Sequence, residues 1–161
     1  MLGMLEEVLH EVMTSRGWKL AAAESCTGGL VSHRITNVSG SSEYYPGGVV
    51  SYSNEAKVSL LGVSNETLQL YGAVSRETVL EMARGVRKLF GAEIGVSVSG
   101  VAGPAGGTPE KPVGLTWVGL STAEGEWARD FIWNDGRGQN KQASSEAALQ
   151  FVVDYLEGKL T

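Results

Sequence analysis

The segment 24–29 (Glu-Ser-Cys-Thr-Gly-Gly) most constrains how this 161-residue chain can fold. It follows an apolar run, 20–23, that is typical of the end of a buried strand. It precedes Leu30, Val31 and Ile35, whose spacing indicates a helix. Ligands bind at such strand-to-helix turns in open α/β sheets. Small residues also let a strand and a helix pack closely. This turn alone therefore indicates either a binding site or a close contact between the strand and the helix.

Within this turn, Thr27, Gly28 and Gly29 predict a cradle for an anion. Glycine lets backbone N–H groups approach a ligand without a side chain in the way. The N-terminus of a helix adds partial positive charge at the same place. We therefore expect these three residues to bind substrate.

The rest of the chain alternates helix and strand patterns. Apolar spacing predicts helices over 2–16, 28–36, 75–90 and 143–156, with N-caps at Ser53, Ser64 and Ser75. Strands are predicted at 18–23, 49–52, 94–99, 115–121 and 127–133, the last two forming a hairpin. This order predicts one domain over residues 1–161, a three-layer α/β/α fold. Its sheet should be mixed and mostly parallel, with five to six strands and one antiparallel strand from the hairpin.

Composition narrows the class of protein. Hydrophobic residues make up 42% and the formal net charge is -5 without a long basic run, which indicates a globular domain and argues against nucleic acid as a partner. Two histidines and a single cysteine, Cys26, argue against a zinc site and exclude an intrachain disulfide. The sequence contains no signal peptide and no apolar run of membrane-spanning length, so we expect a cytoplasmic protein without membrane contact.

Serines near three predicted strand ends are candidates for catalysis: Ser25, Ser42 and Ser99. A serine hydroxyl is a poor nucleophile until a base removes its proton, and no histidine lies near these turns. Lys57 can replace histidine, because a lysine desolvated in a pocket loses its charge, and Ser–Lys pairs are a known variant of the serine triad. The alternative is a solvated lysine beside ordinary loop serines.

Two loops carry candidate ligand contacts. Residues 100–107 form a glycine-rich segment after a predicted strand, so Gly100 is expected to approach a ligand closely. Arg137 lies in a second glycine-bearing loop and can hold a phosphate or carboxylate in a forked contact. Both loops are also compatible with simple surface connections.

Six short segments occur in order along the chain. They are 23–29 (Ala-Glu-Ser-Cys-Thr-Gly-Gly), 40–42 (Gly-Ser-Ser), 51–57 (Ser-Tyr-Ser-Asn-Glu-Ala-Lys), 72–75 (Gly-Ala-Val-Ser), 99–104 (Ser-Gly-Val-Ala-Gly-Pro) and 111–114 (Lys-Pro-Val-Gly). Together they resemble the CinA C-terminal-domain family, the nicotinamide-nucleotide amidohydrolases. The resemblance covers nearly the whole chain. Longer members carry an additional N-terminal domain, so the chain resembles the stand-alone form.

The resemblance implies an enzyme that hydrolyses the carboxamide of nicotinamide mononucleotide to nicotinate mononucleotide and ammonia, in pyridine-nucleotide recycling. It implies a small-molecule nucleotide substrate and no metal or redox cofactor. We expect a homo-oligomer, with a dimer favoured. A non-catalytic nucleotide-binding or competence- and damage-associated interaction module stays open as an alternative. A dinucleotide-binding enzyme ranks below both, because the first turn lacks Gly-x-Gly-x-x-Gly.

The resemblance also assigns roles to catalytic residues. Ser42 matches the family's nucleophile and Lys57 its general base, while Ser25, Tyr52 and Ser99 match supporting residues of the same pocket. The sequence leaves open whether Ser42 or Ser25 forms the covalent bond. We expect Ser25, Ser42, Lys57 and Ser99 to converge at one edge of the sheet.

Arg137 matches a family arginine, with two departures from the usual pattern. The family usually reads Gly-Asp-Arg, whereas residues 135–137 read Asp-Gly-Arg. Lys141 stands where a second arginine is usual. The resemblance therefore implies a substrate contact by Arg137 in a loop of altered order.

Overall fold

The computed structural model describes residues 4–160 as alternating helices and strands. The elements are α1 (Met4–Arg16), β1 (Leu20–Glu24), α2 (Leu30–Thr36), a 3₁₀ helix (Ser41–Glu43), β2 (Gly47–Val50), α3 (Asn54–Leu61), α4 (Asn65–Tyr71), α5 (Arg76–Phe90), β3 (Ile94–Gly100), β4 (Leu115–Thr122), β5 (Gly125–Ile132) and α6 (Arg137–Leu156).

The five strands form one sheet in the order β2-β1-β3-β4-β5. β1 pairs parallel with β2 and β3, whereas β4 pairs antiparallel with both β3 and β5. Only β4 therefore runs against the other strands of this sheet, and the predicted mixed, mostly parallel sheet is confirmed. The carboxyl ends of β1, β2 and β3 lie together at one end of the sheet, which we call the carboxyl edge. The amino edge is the opposite end, where these three strands begin.

Helices cover both faces of the sheet. Side chains of β1 alternate between the two faces, because successive residues of a strand point in opposite directions. One apolar cluster joins Leu20 to α1, α2 and α6, and the other joins Ala21 to α3 and α5. The predicted three-layer α/β/α arrangement is therefore confirmed.

Three predicted helix starts are confirmed by their caps. The hydroxyls of Ser53, Ser64 and Ser75 accept hydrogen bonds from backbone N–H groups three residues further on, as N-cap residues do. The cap at Ser53 fixes where α3 begins, and thereby places Lys57 in the first turns of that helix.

Some predicted boundaries were wrong. The last helix begins at Arg137 rather than near residue 143, because its first turn is polar and carries no apolar stripe. Leu2, expected in the first helix, lies outside the described residues. None of the helices within residues 4–160 is both long enough and apolar enough for a membrane crossing.

Candidate active site

Ser25 follows the last residue of β1 at the carboxyl edge. Its backbone N–H donates to Val98 O at 3.0 Å, which ties the turn to the end of β3. Ser25 is 8% exposed, and its Oγ accepts a hydrogen bond from Lys57 Nζ at 3.2 Å. The strand end therefore presents a hydroxyl directly to an amine.

Lys57 is buried, with only 1% of its surface exposed. Besides Ser25, its Nζ donates to Ser51 O at 2.8 Å, and no ion pair within residues 4–160 involves it. Burial lowers the pKa of Lys57 from its ordinary 10.5, and the nearby Cys26 is a smaller influence in the opposite direction. A lowered pKa increases the neutral fraction of the amine, which is the form that accepts a proton.

A cavity of about 330 Å³ opens above Ser25 and Lys57. Its wall includes the turn between β2 and α3, residues 73–74 before α5, and the loop that follows β3. The structure thus brings together six of the predicted site residues, which are Ser25, Tyr52, Lys57, Ser99, Gly100 and Arg137.

Ser99 and Gly100 shape the pocket wall at the end of β3. Ser99 is buried, and its Oγ donates to Ala73 O at 2.9 Å, which holds the segment before α5 against the strand. A Cβ at Gly100 would lie 2.6 Å from Thr116 Oγ1 and 3.2 Å from Cys26 Sγ. Glycine is therefore needed at this position because strand and turn approach so closely.

Cys26 lies beside Ser25 but is poorly suited to attack a substrate. The residue is 7% exposed, and burial raises the pKa of its thiol to about 11. The thiol therefore stays protonated at neutral pH, and the protonated form is a weak nucleophile.

The predicted anion cradle at Thr27, Gly28 and Gly29 is wrong, because Glu24 already occupies the N-terminus of α2. Glu24 is fully buried. Its carboxylate accepts from Thr27 Oγ1 at 2.6 Å and from the backbone N–H groups of Gly29, Val31 and Ser32 at 2.8 to 3.2 Å. A substrate anion at this place would be repelled by the Glu24 carboxylate. The N–H groups that it would need already donate to Glu24.

Arg137 begins α6 and reaches over the pocket. Its Nη1 donates to Gly103 O at 2.8 Å, and its Nη2 donates to the Tyr52 hydroxyl at 3.2 Å. Lys141 lies one turn further along α6, with Nζ 3.8 Å from where a Cβ on Gly28 would be. Arg137 therefore lines the pocket, and Lys141 lies against the turn that carries Ser25.

The Asp-Gly-Arg order suits the start of α6. Gly136 is the N-cap residue and has φ 86, a left-handed value that favours glycine. The altered order thus still allows Arg137 to begin the helix and reach the pocket wall.

Ser42 lies at the amino edge, so the prediction that it converges with Lys57 is wrong. It belongs to the 3₁₀ helix that precedes β2, and the next residues pair with the start of β1: Leu20 N donates to Tyr44 O, and Lys19 Nζ donates to Glu43 O. The five residues of β1, which span about 15 Å, separate it from the pocket. The error arose because the 40–42 segment comes before a strand, whereas ligand-binding turns follow one.

Sequence reasoning missed two asparagines at the site. Asn54 lines the pocket mouth, and it lies within the 51–57 segment that already contained Tyr52 and Lys57. Asn140 is 2% exposed, and its Nδ2 donates to Ala102 O at 3.0 Å. Its burial could not be predicted because the helix was expected to begin only after it.

Comparison with known proteins gives consistent matches over nearly the whole chain. The family model described as the CinA C-terminal domain matches residues 3–156. A "CinA-like protein" from Chloroherpeton thalassium is 49% identical over 157 residues, which cover 94% of this chain and 37% of that protein. A "putative competence-damage inducible protein" from Caldanaerobacter subterraneus is 46% identical and covers 96% of this chain and 38% of its own length. The chain thus spans little more than a third of these curated relatives.

Solved structures share the fold. The competence/damage inducible protein CihA from Agrobacterium tumefaciens superposes with a TM-score of 0.89 at 39% identity, covering 96% of both chains. A competence or damage-inducible protein from Enterobacter asburiae gives a TM-score of 0.92 at 32% identity, covering 96% of this chain and 98% of its own. Taken with the family model, these matches show that the chain belongs to the CinA C-terminal domain family.

Proposed function

We propose that this chain hydrolyses the carboxamide of nicotinamide mononucleotide, with Ser25 as nucleophile and Lys57 as general base. The observation that carries the proposal is the 3.2 Å contact between Lys57 Nζ and Ser25 Oγ at the floor of the pocket. A buried lysine with a lowered pKa, which forms no ion pair with the described part of the chain, is suited to take a hydroxyl proton. The identity of the substrate is inferred from the resemblance to the CinA C-terminal-domain family.

In the acylation step, neutral Lys57 Nζ takes the proton from Ser25 Oγ, and the oxygen attacks the carboxamide carbon. The resulting oxyanion needs a hydrogen-bond donor, for which we assign the backbone N–H of Cys26, next to the nucleophile on the turn. Such a donor contributes roughly 3–4 kcal/mol in other hydrolases. The Lys57 ammonium then returns the proton to the leaving nitrogen, so the C–N bond breaks and ammonia departs.

Deacylation runs through the same pair. Lys57, neutral again, takes a proton from a water molecule, whose oxygen attacks the acyl carbon. The bond to Ser25 Oγ breaks, Lys57 gives the proton to Oγ, and the product leaves as a carboxylic acid, which releases its remaining proton to water. Both half-reactions need one amine that is protonated and deprotonated in turn. Burial favours this role because it lowers the pKa of Lys57.

Arg137 and Lys141 supply the positive charge that a 5′-phosphate requires. Arg137 donates one hydrogen bond to Gly103 O and one to the Tyr52 hydroxyl. A guanidinium has five N–H groups, so further donors are available for a ligand. The substrate would thus lie with its carboxamide on Ser25 and its phosphate toward the first turn of α6.

The test is ammonia release from nicotinamide mononucleotide by the wild-type protein, with Ser25→Ala as the inactive control. We expect release of one ammonia for each nicotinate mononucleotide formed. Hydroxylamine added during turnover should give the hydroxamate, because an acyl-enzyme transfers its acyl group to other nucleophiles. Binding of the nucleotide without ammonia release would contradict the proposal and favour the non-catalytic binding module.

A further inference from the structure

Two neighbouring carbonyl groups in the pocket wall are held by side chains from the first turn of α6. Ala102 O accepts from Asn140 Nδ2 at 3.0 Å, and Gly103 O accepts from Arg137 Nη1 at 2.8 Å. The two side chains are three residues apart, so they lie on the same face of the helix. The wall of the pocket is therefore fastened to the element that carries Arg137.

Asn140 uses both ends of its amide in this arrangement. Its Oδ1 accepts from the backbone N–H of Asp135 at 3.2 Å, which fixes the loop before α6. Its backbone O accepts from Ser144 Oγ at 2.7 Å, and Ser144 Oγ lies 3.0 Å from Thr116 Oγ1 on β4. Removal of this buried amide would leave Ala102 O and Asp135 N without their partners.

We propose that Asn140 is a positioning residue that fixes the Arg137 guanidinium on the phosphate side of the pocket. This inference rests on the proposed function for the identity of the anion. Asn140 bonds to the loop before Arg137 and to the carbonyl next to the one that Arg137 contacts, so its loss loosens the start of the helix and the Gly103 side of the guanidinium, while the contact with Tyr52 remains. It has no contact with Ser25 or Lys57, and the chemical step should therefore not depend on it.

The consequence is a selective effect on binding. Loss of Asn140 should raise KM for nicotinamide mononucleotide and leave kcat nearly unchanged. The phosphate-free riboside should bind almost as before, because it makes no contact with Arg137. The pH dependence of kcat/KM for the riboside should keep its shape, since Lys57 keeps its surroundings.

A double-mutant cycle tests the inference without turnover. Affinity for the product, nicotinate mononucleotide, is measured by calorimetry for wild type, Asn140→Ala, Arg137→Ala and the double variant. We expect Asn140→Ala to weaken binding about tenfold in the wild-type background and less than about twofold in the Arg137→Ala background, because coupled residues are non-additive. Equal losses in both backgrounds would overturn the inference.

Two further variants sharpen the result. Gln139→Ala removes an exposed amide from the same helical turn and should leave product affinity unchanged. Asn140→Asp keeps the acceptor for Asp135 but loses the donor to Ala102, and it serves if the alanine variant does not fold. Product binding that shows coupling, together with no ammonia release by the wild type, would overturn the proposed reaction and uphold the role of Asn140.

Discussion

Each of these two edges carries a serine and a lysine, and at the carboxyl edge the two side chains meet in a pocket. At the carboxyl edge Lys57 is buried and bonds to Ser25 Oγ. At the amino edge Ser42 is exposed, and Lys19 Nζ donates to the backbone oxygen of Glu43. The residue types are the same at both edges, so the difference lies in burial and in the group that each amine meets.

The difference shows that strand direction matters more than motif composition. The Ser25 turn follows β1, so it faces the edge where β1, β2 and β3 end and where the following loops enclose a cavity. The Gly-Ser-Ser segment 40–42 precedes β2 and therefore meets the other edge. Enclosure desolvates the amine of Lys57 and lowers its pKa, whereas Lys19 is exposed and donates to a backbone carbonyl.

The largest expected effect separates the two serines. Ser25→Ala should lower kcat on nicotinamide mononucleotide by about 10³-fold or more, because the proposed nucleophile is lost. Ser42→Ala should stay within about twofold of wild type, as an exposed substitution far from the pocket does. Ammonia release measures both. A large loss in Ser42→Ala with normal folding would restore Ser42 as the nucleophile and reverse the comparison.

A second pair of variants compares the two lysines. Lys57→Arg keeps the positive charge but cannot release a proton at ordinary pH, so kcat should fall by about 10²- to 10⁴-fold. Lys19→Arg makes the same change at the amino edge and should leave kcat unchanged. Circular dichroism checks that both fold. Comparable activity in the two variants would mean that the base is not Lys57.

The pH dependence tests the protonation state that the comparison assigns to Lys57. The amine acts as a base only when deprotonated, so kcat/KM should rise about tenfold per pH unit below its pKa and level off above it. Because burial lowers this pKa, levelling off should come at a pH below 10.5. The riboside is the appropriate substrate, since it has no phosphate that titrates. A rate that falls with rising pH over this range would contradict the assignment.

Arg137 should affect substrate choice more than chemistry. Arg137→Ala should weaken nicotinamide mononucleotide about ten- to hundredfold and the riboside little, because a charge-assisted contact is worth about 1.5–3 kcal/mol. The specificity ratio, kcat/KM for the nucleotide over that for the riboside, measures this directly. Equal losses on both substrates would indicate that Arg137 only orders the loop at Gly103.

Sequence patterns predicted the layers and most elements of the fold because they depend on local spacing. The serine caps and the hairpin are examples, since each is determined within a few residues. The site was predicted in part. Ser25 and Lys57 meet as expected, whereas Ser42 does not, because its position depends on how β2 pairs with β1. The assembly and the cellular location stay predictions.

Asn140 and Glu24 show why the remaining parts of the site could not be predicted. Asn140 bonds to Ala102, which is distant in the sequence, whereas Glu24 bonds to the N–H groups of the helix that follows it directly. A glutamate after a strand suggests no particular partner, and here its charge fills the cradle expected for a substrate anion. A distant contact therefore determined the role of Asn140, and the direction in which one side chain turns determined that of Glu24.

The smallest expected effect compares a buried and an exposed carboxylate at the two edges. Glu24→Gln keeps the size of the side chain but turns one acceptor oxygen into a donor among groups that all donate, which include Gly29, Val31 and Ser32. The lost charge-assisted bonds are partly offset because a neutral amide is cheaper to bury, so we expect the free energy of unfolding to fall by about 1–2 kcal/mol.

At the amino edge Glu93 accepts from Lys19 N at an exposed site, and Glu93→Gln should lower the free energy of unfolding by less than about 0.5 kcal/mol. Urea unfolding measures both. Equal losses in the two variants would mean that Glu24 does not stabilise the turn that carries Ser25.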